Sequence, residues 1–120
     1  MKAFCYIMSQ TEENHMSAKG IRDENTDFLF NAIVSLKNVE ECYSFFEDLC
    51  TIAEIKEMSK RLLAAKMLNS NCVYNKISET TGLSTATISR VNRCLKYGND
   101  GYQTVLRRLS DNEGDIKTDN

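Results

Sequence analysis

The short run Thr81-Gly82-Leu83 constrains this chain more tightly than any other part of it. Glycine enters the left-handed backbone region without steric cost, so one glycine can turn a chain sharply out of a helix. Apolar residues stand around Gly82 where they would lock two short helices across such a turn: Ile77 five positions before it, Leu83 one after, Ile88 six after and Val91 nine after. Ser78 is small where the helices must cross, while Thr81 is the weak match, since an apolar residue is commoner there. The spacing predicts a helix-turn-helix over Val73–Lys96. Its first helix would cover Val73–Thr80, and its second, capped by Ser84, would run to Tyr97. Gly98, just past that end, is placed for a left-handed C-terminal cap.

The second helix of the pair presents Thr85, Ala86, Ser89, Arg90 and Arg93 on its free face. That face is small and polar at its start and basic further along. A helix that pushes its N-terminal end into a DNA major groove needs this order. Short side chains permit close approach to base edges, and alanine or threonine methyls can meet a thymine methyl. Arg93 and Lys96 would then reach phosphates, and Lys76 on the first helix could reach the backbone too. The candidate DNA-contacting set is Lys76, Ser84, Thr85, Ala86, Thr87, Ser89, Arg90, Arg93 and Lys96.

The charge distribution agrees with this placement although the total does not. The formal net charge is −2 over 120 residues. Residues 1–55 hold four basic against ten acidic side chains, a net of −6. Residues 56–108 hold ten basic against three acidic, a net of +7, and residues 109–120 one against four, a net of −3. Local field decides whether phosphate is attracted, and the positive field coincides with the helix-turn-helix. A helical hairpin with a glycine turn would explain the spacing alone; it would not explain the charge partition or the uncluttered outer face.

The rest of the chain reads as helix. There is no proline and there are only five glycines, so long helices meet few interruptions. Phe28, Leu29, Ala32, Ile33 and Leu36 fall on one face of a helix over Asp23–Leu36. Asn38, with Glu41 three residues on, caps a second helix that ends near Leu49 and carries Cys42, Phe45, Phe46 and Leu49 inward. Thr51 and Glu54 form a capping box for a third, whose face is Ile55, Met58, Leu62 and Ala65 and which ends near Asn69. Ser70-Asn71 breaks the pattern before the helix pair, and Asn99 or Asp100 opens a last helix with Tyr102, Val105, Leu106 and Leu109 inward. The expectation is an all-α chain of about six helices: a flexible arm over 1–22, a helical domain over 23–110 and a flexible acidic tail over 111–120.

Other chemistry finds little support. The five cysteines include no C-x-x-C pair and the single histidine is His15, so no zinc set is recognisable and no cofactor is expected. Reduced, mostly buried thiols fit a cytoplasmic chain. No stretch approaches the apolar length that spans a bilayer. A nucleophile–base pair and a phosphate-cradling glycine loop are both missing, so the chain does not read as an enzyme.

Residues 29–109 resemble the trp repressor superfamily, in particular its YerC/YecD-like branch of trp-repressor-like regulators. The residues that carry the resemblance are Glu40-Glu41-Cys42-Tyr43-Ser44-Phe45-Phe46, Asp48-Leu49-Cys50-Thr51, Glu54-Ile55 and Lys60-Arg61-Leu62. More specific are Thr81-Gly82, the run from Ser84 to Val91, and Lys96-Tyr97-Gly98-Asn99-Asp100. The resemblance implies six helices in an intertwined homodimer, with the early and last helices of each subunit wrapping the partner and two reading heads outside. It also implies a transcriptional regulator, a repressor by analogy, that binds double-stranded DNA at an inverted repeat. In the trp repressor two arginines flank the co-repressor, and Arg61 and Arg90 match them; an arginine-held carboxylate gains charge-assisted hydrogen bonds. The match departs next door: the repressor has glycine after its second arginine where this chain has Val91, and a serine near the ligand amine where this chain has Cys94. A β-branched side chain fills space the indole needs, which disfavours tryptophan. Two further readings stay open: a regulator that holds another carboxylate between Arg61 and Arg90, and a protein-interaction module that kept the helix-turn-helix shape without DNA binding.

Overall fold

The structure, a computed structural model, describes residues 20–118. Most of the expected N-terminal arm, with Cys5 and His15, lies outside the described residues. Among the described residues there are six helices and no strand: α1 Glu24–Val34, α2 Val39–Leu49, α3 Ile52–Asn69, α4 Tyr74–Thr81, α5 Thr85–Tyr97 and α6 Gly101–Thr118. The all-α reading holds. None of these helices is long and apolar enough to cross a membrane.

Helix starts follow local chemistry. Asp23 accepts the Thr26 N–H at 2.7 Å to open α1. Asn38 accepts the Glu41 N–H at 2.9 Å, while the Glu41 carboxylate takes the N–H of Lys37 at 3.1 Å, one residue before the position a capping box uses. At α3 the box is complete: Thr51 Oγ1 accepts the Glu54 N–H at 3.1 Å and Glu54 Oε1 accepts the Thr51 N–H at 3.2 Å. Each side chain satisfies an N–H that the helix itself leaves without a partner.

The chain divides into two units, Met1–Leu49 and Cys50–Asn120. In the first, α1 and α2 bury no residue. Phe45 and Phe46 meet edge to face with ring centroids 5.5 Å apart. Leu49, expected inward, is exposed, as is Phe28.

The second unit holds the core. Ala64 and Ala65 of α3, Ile77 of α4, Leu83 of the turn, Ile88, Val91 and Leu95 of α5, and Leu106 of α6 form one buried cluster. The two alanines are fully buried where α3 packs against α4 and α5, and side chains this small let the backbones approach closely. Met58 and Leu62, read from the sequence as core, remain more than a third exposed, and so do Val105 and Leu109 of α6. Of the described cysteines, three are partly buried and Cys94 is exposed, so the expectation of mostly buried thiols does not hold. The last helix continues to Thr118, into the acidic segment placed outside the domain from sequence.

Candidate nucleic-acid interface

The interface is built on the turn between α4 and α5. Gly82 ends α4 in the left-handed region, φ 76° and ψ 3°, and its N–H donates to Ser78 O at 2.8 Å. A Cβ added there would meet nothing within 4 Å, so backbone angle rather than space requires the glycine. Ser78 does more than keep the crossing small, because its hydroxyl donates to Leu83 O at 2.9 Å. Thr81 is buried, and its hydroxyl is satisfied twice: it donates to Ile77 O at 2.7 Å and accepts the Leu83 N–H at 3.2 Å. An apolar residue could fill that space but could not hold the Leu83 N–H.

Helix α5 carries the candidate interface face. Ile88, Val91 and Leu95 anchor it in the core. At about 100° of rotation per residue, Ala86 and Arg93 lie opposite those three, with Ser89 and Arg90 to either side of them and Thr85 on the flank. Thr85, Ala86, Ser89, Arg90, Arg93 and Lys96 are all exposed, as is Lys76 on α4. Ser84 and Thr87 stand apart. Ser84 Oγ accepts the Thr87 N–H at 3.2 Å and donates to Thr87 Oγ1 at 3.1 Å. Both hydroxyls are engaged in starting the helix, which leaves them less free for a base edge than Thr85 and Ser89.

The electrostatics suit an anion. The only ion pair among the described residues joins Lys66 to Glu113 at 4.0 Å, well exposed and worth little. None of Lys76, Arg90, Arg93 or Lys96 is neutralised by a carboxylate of the described chain. Arg61 differs from them. It is half-buried on α3, and its Nε is shielded from solvent with no hydrogen-bond partner.

The end of α5 departs from expectation. Gly98 is not left-handed; its φ is −85° and ψ −150°. Asp100, two residues on, takes a left-handed conformation instead at φ 63°, as does Asn71 after α3. Gly98 is required for room, since a Cβ there would collide with the Cys94 carbonyl oxygen. Asp100 O then accepts the Thr104 N–H at 2.9 Å as α6 begins. Sequence reading also passed over Tyr97, which is 84% exposed on the same side of α5 as Ala86 and Arg93. The helical spacing that found those two would have found it.

Comparison with known proteins places these features in a lineage. The family model described as Trp repressor protein matches residues 24–110. The uncharacterized protein YerC of Bacillus subtilis is 53% identical over 98 residues, which cover 82% of this chain and 94% of that protein. Among solved structures, a TrpR-like protein from Eubacterium eligens superposes with a TM-score of 0.73 at 54% identity, covering 75% of this chain and 93% of the other. A Trp repressor candidate from Staphylococcus aureus gives 0.72 at 50% identity, covering 75% and 90%.

Proposed function

Because the chain belongs to the Trp repressor family, we propose that it is a homodimeric, sequence-specific DNA-binding regulator that acts as a repressor. The observation that carries this reading is the outer face of α5. Small exposed residues, Thr85, Ala86 and Ser89, stand at its start, and cations without carboxylate partners, Arg90, Arg93 and Lys96, follow. In this reading Ala86 and its neighbours meet base edges, while Arg93, Lys96 and Lys76 hold phosphates. Ser84 and Thr87 contribute by fixing the helix start. The protein is a cytoplasmic binding protein rather than an enzyme, with its DNA-binding domain within residues 23–110.

The dimer is supported by the first unit. Helices α1 and α2 bury nothing within one chain, and Val34, Val39 and Tyr43 are 82%, 67% and 60% exposed. Apolar faces of this kind mark a surface that a partner covers. Two heads related by a dyad would read an inverted repeat with half-sites about one helical turn apart. Selection of bound duplexes from a random pool tests the reading: it should return a palindromic consensus, and recovery of no enriched sequence at low salt would overturn it.

A second reading is favoured by one observation. A buried, unpartnered Arg61 Nε is costly, and an anion would relieve it. A carboxylate effector held by Arg61 and Arg90 would do so. Tryptophan does not suit this role, because Val91 is 3% exposed and part of the core where the indole would need room. Calorimetry should show no heat on adding tryptophan, and micromolar affinity would refute this. A thermal-shift screen of amino acids and other carboxylates, repeated with Arg61→Ala, tests for a different effector.

A further inference from the structure

Tyr97 is the most exposed large apolar side chain among the described residues, at 84%. It closes the recognition helix. With about 100° of rotation and 1.5 Å of rise per residue, Ala86, Arg93 and Tyr97 fall within about 40° of one another, opposite Ile88, Val91 and Leu95. Tyr97 lies about 16 Å along the axis from Ala86 and about 6 Å beyond Arg93. The major groove is about 12 Å wide, so when Ala86 faces base edges a residue that far along reaches the rim, where phosphates are.

We propose that Tyr97 is a further DNA-contacting residue, its phenolic hydroxyl donating to a phosphate oxygen at the rim of the groove that the start of α5 enters. The assignment rests on the DNA-binding reading above. Three observations carry it. The ring is not used for packing, and the hydroxyl has no partner among the described residues. Its setting is polar and basic: Arg93 one turn earlier and Lys96 beside it are both exposed. Cys94 is the one exposed apolar neighbour on α5 within a turn of it, too little for an apolar cover. The position is also fixed. Gly98 N–H donates to Cys94 O at 2.9 Å, and the tight approach of Gly98 to that carbonyl ends the helix directly after Tyr97.

The contact is neutral and sequence-independent, which separates it from its neighbours. Affinity of the full chain and of Tyr97→Phe is measured by fluorescence anisotropy at several salt concentrations, on a duplex selected from a random pool and on a duplex of random sequence. Phenylalanine keeps the ring and removes only the hydroxyl. The expected result is binding about ten- to hundredfold weaker on both duplexes, the size expected when each subunit of the dimer loses one hydrogen bond of about 1 kcal/mol. The slope of log affinity against log salt should be unchanged, because no cation is lost. Equal binding by the two proteins overturns the proposal while leaving the DNA-binding reading intact. A loss confined to the selected duplex overturns it too, since that marks a base contact. So does a change in sedimentation coefficient, which assigns Tyr97 to a protein interface. Failure of the wild-type chain to bind either duplex overturns the DNA-binding reading itself.

Discussion

Thr81 shows how much one hydroxyl can settle. It occupies a core position, yet its oxygen bridges the end of α4 and the backbone of the turn, with contacts of 2.7 Å to Ile77 O and 3.2 Å from the Leu83 N–H. Thr81→Val keeps the shape and removes both. The Leu83 N–H is then left buried and unpaired, a penalty of about 1–3 kcal/mol. Urea denaturation followed by circular dichroism should show a loss of that size, and a variant as stable as wild type would refute the bridging role. Gly82 acts beside it through backbone angle alone, and Asn71 and Asp100 show that short polar side chains can also occupy the left-handed region.

At the scale of elements, the start of α3 couples structure to pH. The Thr51 hydroxyl, followed by the Thr51 N–H, holds the Glu54 carboxyl below its ordinary value of 4.5. A lowered native value means that the ionised form stabilises the fold. The contribution is complete above pH 4.5 and is lost as pH falls through the lower native value. Thr51→Val should therefore cost stability at pH 7, and the gap between variant and wild type should narrow on acidification below pH 4.5. Thermal melts across that range check it. Helix α5 carries the other prediction at this scale. Arg93 sits at the centre of the outer face, so Arg93→Ala should weaken binding to all duplexes and lower the salt slope of the dimer by about 1.8, one released counterion for each subunit. An unchanged slope in anisotropy titrations would place Arg93 off the DNA.

The whole molecule poses a question that one chain cannot answer by itself. Its core gathers in the second unit, while α1 and α2 of the first carry apolar side chains without burying any. If a second copy covers them, Val34→Glu should shift sedimentation from dimer towards monomer and weaken DNA binding steeply, since each head loses its dyad mate. The melting temperature of the wild-type chain should rise with protein concentration, as mass action requires of a folded dimer. A monomeric wild-type chain at high concentration would rule out the proposed dimer. The formal net charge of −2 is uninformative at this scale, because a field of +7 over residues 56–108 sits between acidic segments.

The features legible in the sequence are those settled within about four residues of chain. The caps at Asn38, Thr51 and Ser84, and the turn at Gly82, all stand where local hydrogen bonding puts them. Helical periodicity found the exposed face of α5 for the same reason, since the residues it aligns share one rigid element. Only the tertiary structure decided what depends on distant neighbours. It added Ala64 to the expected Ala65 in the core and left Met58 and Leu62 more than a third exposed, because burial is set by where other helices approach. It placed Gly98 against the Cys94 carbonyl instead of in a left-handed cap, and gave Thr81 two backbone partners where the helix-turn-helix pattern made it the weak match. The turn around Gly82 was legible because its geometry is a property of one residue, whereas the packing that holds α4 and α5 in place belongs to α3, α4, α5 and α6 together.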